Sequence, residues 1–356
     1  MEAGQKEVEE EKEVRKEEED KVESKEEEEE EKKKTVVVEG GREEEVKEFS
    51  GELAGADEEI KDFEDDLIVG DMYGQLLQCN SQTGGNKFIT KLHKGTVIGL
   101  HKMKEVENTW ISNGADNLIK VYKDKNFKEP AGILRGHTGW VNDICEFGPG
   151  KICSCSDDTS VKMWNTQTME LIEDNQHFSK NLCIEKIDQN RVAYGVEHRS
   201  VQIWNWKKWK TEQPLYVDHM VNSLLLLQDG RLAVSIWSGE VHLYDLKGKG
   251  IPEVSFKAEC ENHTLSNSLF QLPDGKIGVA SKEDHLIKIF NLKKNKYERR
   301  CRGHKDTIFD VMTYMHNEVP YVVSASADKS VKCWNMNTGK CKEIWHKKSL
   351  YSVAPL

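Results

Sequence analysis

The chain has 356 residues and a formal net charge of −12, from 63 Asp+Glu against 51 Lys+Arg. No run of eighteen apolar residues occurs, which argues against a membrane-spanning helix, and the acidic start lacks the apolar core expected of a secretory leader. Nine cysteines, odd in number and without paired spacing, argue against a disulfide framework and suit a reducing compartment, the cytoplasm first and the nucleus second. The charge is unevenly divided. Residues 1–66 hold 30 Asp+Glu and 12 Lys+Arg, a balance of −18, which leaves +6 for residues 67–356.

Residues 1–34 carry almost nothing apolar beyond Val8, Val14 and Val22. Such a composition cannot bury enough surface to offset the entropy of ordering, so the expectation is a disordered segment or a lone solvated helix, since Glu and Lys are good helix formers. The three valines keep no heptad, which argues against a coiled coil. Residues 35–66 remain acidic, with Gly40-Gly41 and Gly51, and read as linker; Thr35 to Glu39 is the one strand-like patch. The expected division is a low-complexity acidic tail and linker over 1–66 and a folded domain over 67–356.

From Asp66 the pattern changes. DLIVGD and GQLLQCN read as strands around a tight turn at Met72-Tyr73-Gly74, and KFITKL as a third. HKGTVIGLHKM then opens a unit that recurs most clearly at 135–165, RGHTGWVNDICEFGPGKICSCSDDTSVKMWN, and at 302–335, RGHKDTIFDVMTYMHNEVPYVVSASADKSVKCWN. Each copy starts on Gly-His, runs through three strand-length apolar stretches broken by turn residues, and closes on Trp-Asn: an antiparallel meander. Third-strand anchors fall at Cys79, Tyr122, Trp164, Trp204, Tyr244, Phe290 and Trp334, spaced 43, 42, 40, 40, 46 and 44 residues apart. That period fits a four-stranded propeller blade, and seven anchors imply seven blades. The first unit lacks an innermost strand, while HKKSLYSVAPL at the end aligns with HKGTVIGL. Leu350 to Val353 is therefore expected to complete the first blade and close the ring, removing exposed sheet edges.

The unit resembles the WD repeat of β-propeller proteins, with Trp-Asn where the family usually shows Trp-Asp. The resemblance implies an all-β, seven-bladed fold over 67–356. It also implies a buried polar chain in which Asp158 accepts from His137, the imidazole reaches Ser154 or Ser156, and the serine meets the indole N–H of Trp164. His304, Ser324 or Ser326, Asp328 and Trp334 are expected to repeat it. A buried Trp needs a partner for its N–H and a buried Asp needs donors, so all ten residues read as structural. A hydrolase reading of the Ser-His-Asp set is rejected, because the serine would be buried and no oxyanion donors are evident. Asp116 and Asp284 occupy the Asp158 position in two further units; Tyr73, His198 and Ser238 occupy it in the other three, which must rest on packing alone.

No phosphate-binding loop, nucleophile elbow or metal-ligand spacing occurs; Cys153-Ser154-Cys155 has no second ligand pair nearby. No enzymatic activity, metal or cofactor is expected, and function is sought on surfaces. One is the narrow face built from loops entering the first strands and joining second to third strands. It carries Thr96, Trp140, Met220 and Thr307, with Met72 and Trp237 from the second turns, and in WD-repeat proteins such a ring commonly grips peptide segments of other proteins. The other is the opposite face, where third-to-fourth-strand loops carry Lys207, Lys208 and Lys210, then Lys247 and Lys249, then Lys293, Lys294 and Lys296, with Arg299 and Arg300 just beyond. Three consecutive blades contribute, which suits RNA or another anionic surface. The leading expectation is a non-catalytic interaction scaffold or adaptor. The alternative is a nucleic-acid-associated or ribonucleoprotein-assembly factor working through the basic face.

Overall fold

The structure, a computed structural model, describes residues 37–38, 47–50, 66–80, 85–248, 250–257, 266–281, 284–346 and 348–356. The disordered-or-helical expectation for the acidic tail, and Lys249 of the basic set, lie outside these residues. The chain divides at Val37/Val38, and the fold set out below is that of Val38–Leu356.

Seven antiparallel sheets form the blades of a β-propeller, each a meander of four positions running from an innermost to an outermost strand. The second blade is Val97–Lys102, Trp110–Gly114, Ile119–Tyr122 and Gly132–Leu134; the third is Val141–Gly148, Lys151–Ser156, Ser160–Asn165 and Glu170–Gln176. In the fourth blade the outermost position is split into two short strands, Lys210–Thr211 and Leu215–Tyr216. The second strands are buried along all or nearly all of their length, as in Trp110–Gly114, Leu232–Ile236 and Ile277–Ser281, because blades stack face to face and cover both sides. They accordingly carry apolar or small side chains on both faces. Outermost strands such as Asn86–Lys91 are mostly exposed and polar. Between blades the core consists of clusters such as Phe147, Cys153, Met163, Tyr194 and Trp204, shared by blades 3 and 4.

The ring closes as the repeat pattern required. Leu350–Pro355 pairs with Leu67–Asp71, which continues through Gln75–Cys79 to Asn86–Lys91, so the last strand is the innermost strand of the first blade. Leu350 is fully buried, and the Trp110 indole donates to the Pro355 carbonyl at 3.2 Å, locking the closing strand to blade 2.

Two local devices recur in every blade. Near its start each innermost strand skips one residue in its register: Ile98, Asn142, Leu182, Asn222, Asn267, Phe309 and Tyr351; Val141–Gly148 skips a second, Phe147. Such bulges bend a strand and re-aim the next side chain, and here that side chain can latch the following blade. Asp143 accepts the Ile184 amide at 3.0 Å, Ser223 the Leu269 amide at 3.2 Å, and Asp310 the Val353 amide at 3.0 Å. The second device is the turn between second and third strands. Every blade has one residue at positive φ there: Gly74, Asn117, Thr159, Arg199, Gly239, His285 and Lys329. Only two are glycine, so five side chains bear the cost of the left-handed region.

Within the stretch expected to be linker, Lys47–Ser50 forms a strand. It pairs parallel to Lys296–Arg302, the outermost strand of blade 6, and gives that sheet a fifth member.

Candidate interaction faces

The polar chain is present in blades 3 and 7. His137 Nδ1 lies 2.8 Å from Asp158, its Nε2 lies 2.7 Å from Ser154 Oγ, and the Trp164 indole donates to the same oxygen at 2.8 Å. In blade 7 the corresponding distances, His304 to Asp328, His304 to Ser324 and Trp334 to Ser324, are 2.8, 2.7 and 3.1 Å. Of the alternative serines, Ser154 and Ser324 bridge imidazole and indole; Ser156 and Ser326 instead accept the Asp158 and Asp328 amides at 3.1 Å and shape the turn. Blade 2 builds the same relay from His93, Asp116 and Ser112, with Tyr122 in place of the tryptophan.

Burial opposes ionisation of Asp158 and Asp328. Against it, the imidazole, a serine hydroxyl and a backbone amide all donate to each carboxylate, and together they hold both carboxyls well below the usual range. Burial pushes His304 below its ordinary value despite the neighbouring carboxylate. The Ser154 and Ser324 hydroxyls are buried and each is engaged by imidazole and indole at once. Burial also pushes the Cys79 thiol up to about 12 and Cys183 higher still, which leaves both unreactive. Among the described residues no group of three or more His, Cys, Asp or Glu is placed to hold a metal ion.

What the networks do is fix loops. In blade 3 Asp158 also accepts the Thr138 amide at 2.9 Å, which ties the turn to the segment entering the first strand. One residue from that turn then donates to the residue before the first strand. The bond repeats in five blades: Ala115 to Thr96 at 3.0 Å, Asp157 to Trp140 at 3.0 Å, Glu197 to Lys180 at 3.0 Å, Trp237 to Met220 at 2.9 Å and Ala327 to Thr307 at 2.8 Å. Thr96, Trp140, Met220 and Thr307 are thus equivalent positions on a stiffened rim. Lys180 is a fifth that the sequence reading passed over. Met72 sits in the blade 1 turn, its carbonyl taking the Thr96 hydroxyl at 3.2 Å.

Exposure separates these positions. Trp140 is 56% exposed, Trp237 41% and Met72 40%, whereas Thr96, Met220 and Thr307 are half-buried. The structure adds Phe178, 97% exposed in the loop entering blade 4, and Tyr216, 73% exposed where that blade's last strand returns to the same face. Trp140, Phe178, Tyr216 and Trp237 therefore form an apolar arc over blades 3, 4 and 5. Phe178 was legible only as a lone aromatic between two strands; its place between the two tryptophans depends on blade order.

On the opposite face Lys207, Lys208, Lys210, Lys247, Lys293 and Lys294 are exposed, in blades 4, 5 and 6. Lys294 is paired with Glu298 at 2.8 Å, and Lys207 lies over the Trp206 ring at 5.8 Å. Lys296, Arg299 and Arg300 are half-buried in the outermost strand of blade 6, alongside Lys47–Ser50. Trp209, flanked by Lys208 and Lys210, is 66% exposed.

A family model described as "WD domain, G-beta repeat" matches residues 128–165 and 295–335. The chain is 19% identical over 237 residues to a p21-activated protein kinase-interacting protein 1-like of Gallus gallus, covering 66% of this chain and 62% of that protein. It is 21% identical over 221 residues to the ribosome biogenesis protein YTM1 of Debaryomyces hansenii, covering 58% and 44%. It is 24% identical over 280 residues to the U5 small nuclear ribonucleoprotein 40 kDa protein of Dictyostelium discoideum, covering 75% and 74%. Across the first such relatives the match spans only 41% to 62% of their length.

Proposed function

Because the chain is a WD-repeat β-propeller protein, we propose that it is a non-catalytic interaction scaffold that grips peptide segments of other proteins on its narrow face. The observation that carries this reading is the apolar arc of Trp140, Phe178, Tyr216 and Trp237, exposed on three consecutive blades, with the two tryptophans on loops that backbone hydrogen bonds hold in place. Large rigid aromatics lose little entropy on docking and supply most of the energy of such contacts. Trp140→Ala with Trp237→Ala should reduce recovery of protein partners at least about tenfold in affinity purification, two anchors at roughly 2 kcal/mol each being more than enough. Circular dichroism and thermal melt should stay native, since both rings face solvent. Undiminished recovery of every partner would overturn the reading.

A second reading has its own support. Trp209 stands exposed among Lys207, Lys208 and Lys210, a pairing of stacking surface with cations that suits single-stranded RNA. Two of the relatives carry ribosome biogenesis or small nuclear ribonucleoprotein in their names. Under this reading Trp209→Ala weakens oligonucleotide binding at all salt concentrations. Lys207→Glu with Lys208→Glu weakens it mainly at low salt. Purification with and without nuclease separates protein partners from RNA-tethered ones.

A further inference from the structure

Blade 4 keeps most of the polar relay but lacks its carboxylate. His177 lies four residues before Asn181, the start of that blade's innermost strand, as His93, His137 and His304 lie four before Val97, Val141 and Ile308. Ser200 lies four before Trp204, as Ser160 and Ser330 lie four before Trp164 and Trp334. The turn between second and third strands has the same backbone in blades 3 and 4. Arg199 takes the positive φ of Thr159, and the Glu197 amide donates to Lys180 as that of Asp157 does to Trp140. At the place of Asp158, however, stands His198.

In blade 3 that carboxylate is surrounded by donors. Asp158 takes His137 Nδ1 at 2.8 Å, the Thr138 amide at 2.9 Å and the Ser160 hydroxyl at 2.6 Å. The equivalent groups of blade 4 are the His177 imidazole, the Phe178 amide and the Ser200 hydroxyl. His177 Nδ1 is buried without a hydrogen-bond partner, and so is the hydroxyl of Ser179 on the same loop. The Ser200 hydroxyl accepts from Gln202 Nε2 at 3.0 Å and keeps its own proton to give. Glu197, the turn's own carboxylate, is exposed and leaves His177 unmet. Burial first and His198 second hold His177 below its ordinary value, so the ring is neutral at pH 7. A buried polar atom without a partner is destabilising, and a group that supplies the partner relieves it.

We propose that blade 4 presents a carboxylate site, and that its occupant is an Asp or Glu side chain of a partner protein's peptide segment lying on the aromatic arc. This rests on the docking reading above and names the chemistry that docking selects. Phe178 joins the two: its amide belongs to the carboxylate cradle, and its ring, 97% exposed, is the most exposed member of the arc. An acid held at His177 therefore lies beside the ring that packs its apolar neighbours. Lys180 and Arg199 are exposed on the two loops that flank the position, with Lys180 3.5 Å from Asp157. A carboxylate selects the imidazole tautomer that carries its proton on Nδ1, and such charge-assisted bonds are the strong ones. Admission requires the exposed His198 side chain to turn into solvent. The chain's own acidic stretch is a poorer match, since residues 1–34 contain no aromatic residue to cover the arc.

The full chain serves for the test. His198→Asp supplies the missing carboxylate from within, so it should raise the melting temperature by a few degrees and shut the site. Acetate, as the bare carboxylate, should shift the His177 ring nitrogen resonances saturably in the parent, equally in Trp140→Ala with Trp237→Ala, and not in His198→Asp. Short random peptides selected on the parent should carry an Asp or Glu beside apolar residues. Replacing that acid by its amide should weaken binding at least about tenfold, and so should His198→Asp in the protein. Four results would overturn the proposal and leave the docking reading standing: no gain in melt from His198→Asp, an unmoved His177 in the parent, an equal acetate response in His198→Asp, or selected peptides without an acid. A peptide of residues 20–34 that binds as tightly as the selected ones would assign the site to the chain's own N-terminal stretch and overturn the choice of a partner. Selected peptides indifferent to Trp140→Ala with Trp237→Ala would overturn the docking reading, and this one with it, whatever acetate does.

Discussion

Removing the Asp328 carboxylate tests whether the buried relay sets the stability of blade 7. Its Oδ2 takes His304 at 2.8 Å and the Lys305 amide at 2.9 Å; its Oδ1 takes the Ser330 amide at 2.9 Å and the Ser330 hydroxyl at 2.7 Å. In Asp328→Ala the Lys305 amide, on the exposed loop, can turn to water. The His304 imidazole, the Ser330 hydroxyl and the Ser330 amide are buried and cannot; the imidazole and the hydroxyl lie 3.2 Å apart and can bond each other, which leaves two donors unpaired. Each buried orphan costs about 1–3 kcal/mol, so the loss should be about 2–6 kcal/mol. Chemical denaturation at pH 7 reads it directly, from the midpoint at constant slope. The pH dependence gives a second check. A carboxyl held below its usual pKa when folded contributes stability that is present above the usual value and is lost as pH falls through the folded one. The gap between parent and Asp328→Ala should therefore be widest above about pH 5 and shrink towards pH 2. A double-mutant cycle with Trp334→Phe, which removes the indole donor and keeps the ring, should show coupling through Ser324 of about 0.5–1 kcal/mol or more. A loss below about 0.5 kcal/mol, or a gap that does not change with pH, would refute the claim that these groups act as one unit.

Deleting residues 347–356 removes the innermost strand of blade 1 and exposes the edge of Leu67–Asp71, so the melt should drop sharply and the protein should aggregate; an unchanged melt would mean another strand closes the ring. Burial pushes Asp143 up to about 7, so its stabilising contribution is complete below the usual carboxylate range and is lost as pH rises towards 7; Asp143→Asn should flatten that limb of a stability–pH curve. A Cβ on Gly278 would stand 1.9 Å from the buried Phe270 ring, and Gly278→Ala should cost about 1–3 kcal/mol of overpacking in equilibrium denaturation. Thr159 holds φ at 68°, a region a β-branched residue resists, so Thr159→Gly should leave stability unchanged or raise it by about 0.5–1 kcal/mol, less the Gln176 hydrogen bond to its hydroxyl.

The sequence by itself determined the blade count, the strand order within a blade and the closing role of Leu350 to Val353. Each of these follows from local spacing: a meander pairs neighbours in the chain, and an anchor every forty-odd residues records its own turn of the ring. The His-Ser-Asp-Trp relays were legible for the same reason, since all four residues belong to one unit. Which serine takes part was not, because Ser154 and Ser156 share a face of one strand, and only the position of the imidazole selects between them. Tertiary structure alone decided what depends on one blade meeting another. The latches from Asp143, Ser223 and Asp310 arise only once a bulge turns each side chain towards the next blade. The arc of Trp140, Phe178, Tyr216 and Trp237 required both blade order and solvent exposure. The pairing of Lys47–Ser50 with blade 6 lay beyond periodicity altogether: four polar-rich residues carry no strand signal of their own, and they become a strand only where they meet the backbone of Lys296–Arg302.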